Sequence, residues 1–211
     1  MELKLQEVDT TNSSTPTSLI HGSGPEAREA AIAECAERLS LWHAQDPSSY
    51  WQKVVDEETG KIAGAALWNI HEENPFANPH PIEVTWFPEG GTRLFTEQML
   101  RNQNLPRSKV AQKPHLYLFI IFTHPAYRRR GVGQQFMTWG IDKVNEKGFD
   151  FYLDATPVGR QLYEANGFEI IEEIVNIPVT ENPDEKWKEM EEKVGPFTFW
   201  CMCRPANGNK P

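Results

Sequence analysis

The run LYLFIIF at 116–122 is almost wholly apolar. A strand that is apolar on both sides of its pleat has to be covered on both sides. The run therefore predicts a central strand in a sheet flanked by helices. The next residues narrow the choice further. THPAYRRRGVGQQF at 123–136 sets one proline, three arginines and two glycines between that strand and a helical repeat. Pro125 stops the ladder, and Arg128 to Gly133 form a loop. Val132, Phe136, Gly140 and Val144 then recur four residues apart, which predicts a helix with one buried face over roughly 131–147. The first turn of any helix carries N–H groups without partners and about half a positive charge. Glycines let an anion approach that backbone, and arginines neutralise further negative charge. The segment suits a pyrophosphate. It is not a P-loop, because no G-K-[ST] follows, and it lacks the third glycine of the dinucleotide fingerprint.

The remaining text places this turn in an α/β chain. ELKLQEV at 2–8 alternates as a half-buried strand, and TTNSSTPTS after it reads as loop. A helix is expected from about residue 25, capped by Ser23 or Gly24, with Pro25 and Glu26 in its first turn. Ile32, Cys35, Ala36, Leu39 and Trp42 would form its buried face. YWQKVVD, EETGK and IAGAALWNI read as a hairpin. From His71 to Pro114 the chain is rich in proline, with one helical stretch near Thr92–Asn104, and so long an excursion suits a lid or a substrate wall. FDFYLDA (149–155) reads as strand, VGRQLYEAN (158–166) as a short helix and FEIIEEIVNI (168–177) as strand. The charged stretch PDEKWKEMEEK then leads to a last strand, FTFWCMC. The expected fold is a single α/β (α+β) domain, a mixed sheet with helices on both faces.

With 211 residues there is room for one domain and its core, not comfortably for two. A net charge of −9 repels nucleic acid and anionic membrane and favours cationic partners such as amines. Cys35, Cys201 and Cys203 are odd in number and lack a CxxC spacing. They read as core thiols of a reducing compartment, the cytoplasm. The histidines show no metal-ligand spacing, and no run is apolar enough to span a membrane.

Arg128-x-x-Gly131-x-Gly133 after strand–His–Pro resembles the coenzyme A signature of the GNAT acetyltransferases. LDATPVGRQLYEANGFEII (153–171) resembles that family's closing motif, in which a short helix bearing a tyrosine leads into Gly-Phe and a strand. The likeness is strong over 115–177. It implies an N-acetyltransferase domain over 25–204, with 71–114 as insertion or lid, a strand and polar loop over 1–24 and a disordered tail over 205–211. It also implies a sheet splayed between strands 4 and 5, with acetyl-CoA as cofactor. Backbone groups of Ile121 and Thr123 would then hold the pantetheine arm. The amides of Arg129, Arg130, Gly131, Val132 and Gly133 would hold the pyrophosphate, with the Arg128 side of the loop and Gln134 nearby.

The expected chemistry is acetyl transfer to a primary amine, on a small molecule, by a monomer or homodimer. Protein lysine or N-terminal acetylation and a non-catalytic CoA-binding sensor are the alternatives. The resemblance assigns Tyr163 to the departing sulfur. Where many family members carry a Glu or His base on the central strand, this chain has Tyr117, a poor base at neutral pH. His115, Asp154 and Glu83 are the candidates for a water-relayed base. The family's amphipathic helix after strand one has no counterpart in TTNSSTPTS, which implies a pocket that is open, a pocket closed by 71–114, or a shortened form of the chain.

Overall fold

A computed structural model of the chain describes residues 3–7, 25–78 and 81–206. The two ends of the expected 2–8 strand, the TTNSSTPTS loop, the Ser23 or Gly24 cap and the 207–211 part of the tail lie outside the described residues.

The elements are β1 (Leu3–Glu7), α1 (Pro25–Gln45), β2 (Ser49–Asp56), β3 (Ile62–His71), α2 (Gly91–Val110) and β4 (His115–Thr123). After a 3-10 turn at Pro125–Tyr127 come α3 (Val132–Lys147), β5 (Asp150–Ala155), α4 (Arg160–Ala165), β6 (Glu169–Asn176), α5 (Glu185–Val194) and β7 (Phe197–Arg204). The strands form one seven-stranded sheet in the order β1-β2-β3-β4-β5-β7-β6. β4 and β5 are parallel, whereas β1–β2, β2–β3, β5–β7 and β6–β7 are antiparallel. This is the mixed α/β sheet that the sequence predicts.

Two compact units divide the chain, residues 1–69 with 120–132 and residues 70–119 with 133–211. In the first unit the β2–β3 hairpin turns at Gly60 (φ 67°), whose N–H bonds to the Asp56 carbonyl at 2.8 Å. Its core gathers Cys35 and Leu39 of α1 with Trp51, Ala65 and Leu67, and Ile120 and Phe122 pack against them. Gly64 admits no side chain: a Cβ there would lie 2.5 Å from the Phe122 carbonyl oxygen and 2.7 Å from Val132 Cγ1.

In the second unit α3 buries Phe136, Met137 and Val144 completely, about 1.5–3 kcal/mol for each large apolar side chain. α2 and α5 pack through Phe95, Trp187 and Met190, with the Phe95 and Trp187 rings edge-on at 5.1 Å. The Asp184 carboxylate caps both helices, accepting from Trp187 N at 2.7 Å and Gly91 N at 2.9 Å. Any Cβ at position 91 would fall 1.9 Å from that carboxylate.

Four expectations need correction. α5 was not expected, because its charged residues hide the spacing of Trp187, Met190 and Val194, the residues that pack against α2. α2 continues past Asn104 through Pro106 to Val110. Buried contacts of Arg107 hold that last turn against the proline's missing N–H. α1 buries Ala31, Cys35 and Leu39, whereas Trp42 is 37% exposed beneath the Arg38 guanidinium. Burial of β4 on both faces stops at Leu118, where its pairing with β5 ends; Phe119 is 41% exposed and residues 120–123 are half-buried.

Candidate functional site

β4 ends in a tethered turn. The His124 N–H bonds to the Ala63 carbonyl at 2.8 Å, and the Tyr127 N–H bonds to the His124 carbonyl at 2.8 Å. The buried Tyr127 hydroxyl donates to Asp56 Oδ2 at 3.0 Å. Burial alone would raise the Asp56 pKa, but bonds from Thr59, Tyr127 and the 58 and 59 amides outweigh it and hold the carboxyl below its usual range. Tyr127 is thus fixed to an ionised anchor.

The chain then takes two left-handed steps, Arg129 at φ 58° and Gly131 at φ 81°. A non-glycine residue pays about 1–2 kcal/mol for that conformation, and such strain persists only where the surroundings impose it. Alternating left- and right-handed residues turn successive amides toward one side, as an anion nest requires. Nothing lies within 4 Å of a Cβ at Gly131. Arg128, Arg129 and Arg130 are exposed, and the Arg130 guanidinium lies 5.7 Å from the Tyr127 ring. Val132 is buried, so the start of α3 is pinned from within, and the first-turn N–H groups of a helix have no partner inside it. These residues fit a diphosphate.

Past this bend, in the second unit, Gly133 has a packing duty that the sequence did not disclose: a Cβ there would meet Leu162 Cδ2 of α4 at 2.9 Å. The Gln134 and Asn166 amides donate to each other at 2.8 and 3.1 Å, and Asn166 also donates to the Leu162 carbonyl. The Gln134 side chain is therefore held by protein. Tyr163 on α4 is 5% exposed and meets Phe168 edge-on at 6.0 Å. Burial pushes its phenol up to about 12, so it stays protonated at neutral pH.

β4 and β5 pair from His115↔Asp150 to Leu118↔Leu153 and no further, although β5 continues against β7 to Ala155. Asp154 is the first β5 residue beyond the last rung. The Tyr117 hydroxyl donates to its Oδ2 at 2.8 Å, and Gln103 of α2 donates to the same oxygen at 3.4 Å. Asp154 Oδ1 is buried without a hydrogen-bond partner. Burial raises the Asp154 pKa, opposed by the Tyr117 bond and the Arg107 charge. The Tyr117 phenol is itself driven far up by burial, so it is a donor and not a base.

His115 lies at the other end of those rungs, about 10 Å along the strand at 3.3 Å per residue. Its Nδ1 is 2.7 Å from the Lys113 carbonyl, which can only accept, so Nδ1 carries the proton and Nε2 is a lone pair without a partner. Burial lowers its pKa and keeps the ring neutral. It borders a cavity of about 500 Å³ with Val110, Asp150, Tyr152, Cys203 and Ala206. Glu83 is exposed, outside any helix or strand, between β3 and α2. The structure thus joins Tyr117 to Asp154 directly. Sequence reasoning missed Arg107 and Gln103, which carry no motif.

Among the described residues no group of three or more His, Cys, Asp or Glu could hold a metal ion, and no helix is long and apolar enough to cross a membrane.

The family model for the Acetyltransferase (GNAT) family matches residues 17–168. No curated protein matches the chain. Of solved structures, mosquito arylalkylamine N-acetyltransferase like 5b aligns with a TM-score of 0.56 at 13% identity, over 97% of this chain and 100% of that one. The ribosomal-protein-S18-alanine N-acetyltransferase from Escherichia coli aligns at 0.53 and 14% identity, over 99% and 97%. Arylalkylamine N-acetyltransferase 2 from Aedes aegypti aligns at 0.53 and 17%, over 82% and 80%. At such identities the likeness concerns the fold. The family match covers well over half of the sequence, and on that ground the chain belongs to the GNAT acetyltransferase family.

Proposed function

We propose that the chain transfers an acetyl group from acetyl-CoA to a primary amine on a small molecule by direct attack on the thioester. The observation that carries this reading is the strained, arginine-flanked bend at Arg129 and Gly131 ahead of α3. In this reading the 129–133 amides hold the pyrophosphate, and backbone groups of Ile121 and Thr123 hold the pantetheine arm. Acetyl-CoA, when bound, supplies an activated carbonyl.

An alkylamine with a pKa near 10.4 is protonated at pH 7 by more than three units, a cost of about 4–5 kcal/mol for its neutral form. The base we assign is Asp154. Its Oδ2 is fixed by Tyr117 and its Oδ1 has no partner, so Oδ1 takes the amine's proton directly or through one water. Burial raises its affinity for that proton. Tyr163, a phenol at about 12, donates a hydrogen bond to the departing thiolate and does not transfer its proton outright, since a thiol near 8.5 is the stronger acid.

The small-molecule acceptor is favoured because α2 packs against Asp154 and Tyr117, with Gln103 bonded to Asp154 and Arg107 lying on Tyr117. The buried free thiols of Cys35, Cys201 and Cys203 suit the reducing cytoplasm. Release of free thiol from acetyl-CoA, followed over panels of small amines, lysine peptides and N-terminal peptides, tests the reading. Turnover confined to small amines is expected. Turnover with peptides only would reassign the acceptor. Silence with every acceptor despite tight acetyl-CoA binding would make the chain a CoA-binding sensor.

A further inference from the structure

Arg107 is 6% exposed, yet it makes no ion pair among the described residues. Its Nη2 donates to Asn104 Oδ1 at 2.8 Å, and its Nε has no partner. The guanidinium lies 3.5 Å above the Tyr117 ring and 5.2 Å from the Phe76 ring. Phe76 in turn stacks on His115 at 6.5 Å, with 7° between the planes. A buried cation without a directly bonded anion is costly, because its hydration is lost and little replaces it. The arrangement shows what compensates it: two aromatic rings, and a carboxylate hydrogen-bonded to the hydroxyl of one of them.

We propose that Arg107 is a positioning residue that acts through Tyr117 on Asp154, holding the phenol against Oδ2 and keeping the carboxylate ionised. This rests on Asp154 being the base. The contacts order the parts. A cation over a phenol ring draws electron density from the hydroxyl and strengthens its donation to Asp154. The same positive charge opposes the rise in the Asp154 pKa that burial causes. It also helps to keep His115 neutral, alongside the larger effect of burial.

The other groups around Asp154 do not supply this charge. From β4 comes Tyr117, from α2 the uncharged Gln103, and from β7 Cys201, which pairs in register with Asp154. Glu172 of β6 pairs in register with Cys201 and is bridged to Lys109 at 3.6 Å. Burial holds the Cys201 thiol up at about 12, so it stays neutral.

The test is the pH profile of kcat/KM for wild type, Arg107→Gln, Arg107→Lys and Asp154→Asn, using an amine that the panel above finds to be turned over. The position of an acid limb does not depend on how much enzyme is folded, so partial unfolding of a variant does not mask it. Arg107→Gln is expected to move the limb to higher pH, with rates on the acid side falling roughly tenfold and the alkaline plateau retained. Arg107→Lys, which keeps the charge, should leave the limb near its wild-type position. A 13C carboxyl titration of Asp154 in wild type and Arg107→Gln should report the same displacement without reference to turnover. A limb that persists in Asp154→Asn would show that Asp154 is not the base, which removes the reading beneath this inference. Loss of the limb in Asp154→Asn with no displacement in Arg107→Gln, or equal displacement in Gln and Lys, would overturn the role of Arg107 alone.

Discussion

Gly131→Asp, with Gly131→Asn as its control, separates charge from shape at the proposed phosphate site. Position 131 has φ 81°, so every side chain there bears a similar backbone strain, and asparagine and aspartate tolerate that region best. The space is open, with no atom within 4 Å of the new Cβ. The two variants then differ in one negative charge. At about 5 Å from a phosphate, with an effective dielectric between 80 and 20, that charge costs about 1–3 kcal/mol. The corresponding loss is roughly fivefold to 150-fold in Kd. Titration calorimetry with acetyl-CoA at low and moderate salt measures it, and the gap between variants should narrow as salt screens the contact. Equal affinities for the Asp and Asn proteins would refute the placement of the diphosphate on this bend. Gly133 is unsuitable for the same experiment, since any side chain there strikes Leu162.

Asp154→Asn should lower turnover about 100-fold or more while raising Tm at pH 7. Burial lifts the folded pKa of Asp154 above its unfolded value, so its ionised form is a liability once pH rises through the folded pKa; the gain in Tm should vanish in strong acid, where both states are protonated. Tyr163→Phe should reduce kcat roughly 100-fold with acetyl-CoA affinity preserved, and an unchanged rate would leave Tyr163 a packing residue only. Asp184→Ala should lower Tm. Asp184 is depressed chiefly by the Trp187 amide, so its advantage over alanine is present above the ordinary carboxylate pKa and disappears as pH falls through the depressed value; scanning fluorimetry from pH 7 to 2 follows this.

Local pattern was enough wherever one face of an element carries its apolar residues. The four-residue recurrence of Val132, Phe136, Gly140 and Val144 marked α3, and all four are buried. The hairpin, β5 and β7 were legible as short apolar runs between turn signals, and consecutive residues of β3 and β5 are buried on both faces. Pattern failed where a distant partner decides. α5 has few apolar residues, and its Trp187 and Met190 are meaningful only against α2. Pro106 reads as a stop until the burial of Arg107 is known. Tyr117 stood out as an odd residue at the usual position of a base, but its hydrogen bond to Asp154 depends on where β4 and β5 stop pairing. Gly133 looked like a residue for ligand approach, and its closeness to Leu162 arises only once α3 and α4 pack.

The shared cap at Asp184 has a dynamic consequence. One carboxylate accepts from the first turns of α2 and α5 together, so when α5 frays at its start and Asp184 moves, the Gly91 amide of α2 is released as well. Amide exchange at the beginnings of the two helices should therefore proceed at matched rates, as a single opening event. α2 carries Gln103 and Arg107, so access past that helix to Asp154 is tied to the unlatching of a helix more than ninety residues later in the chain.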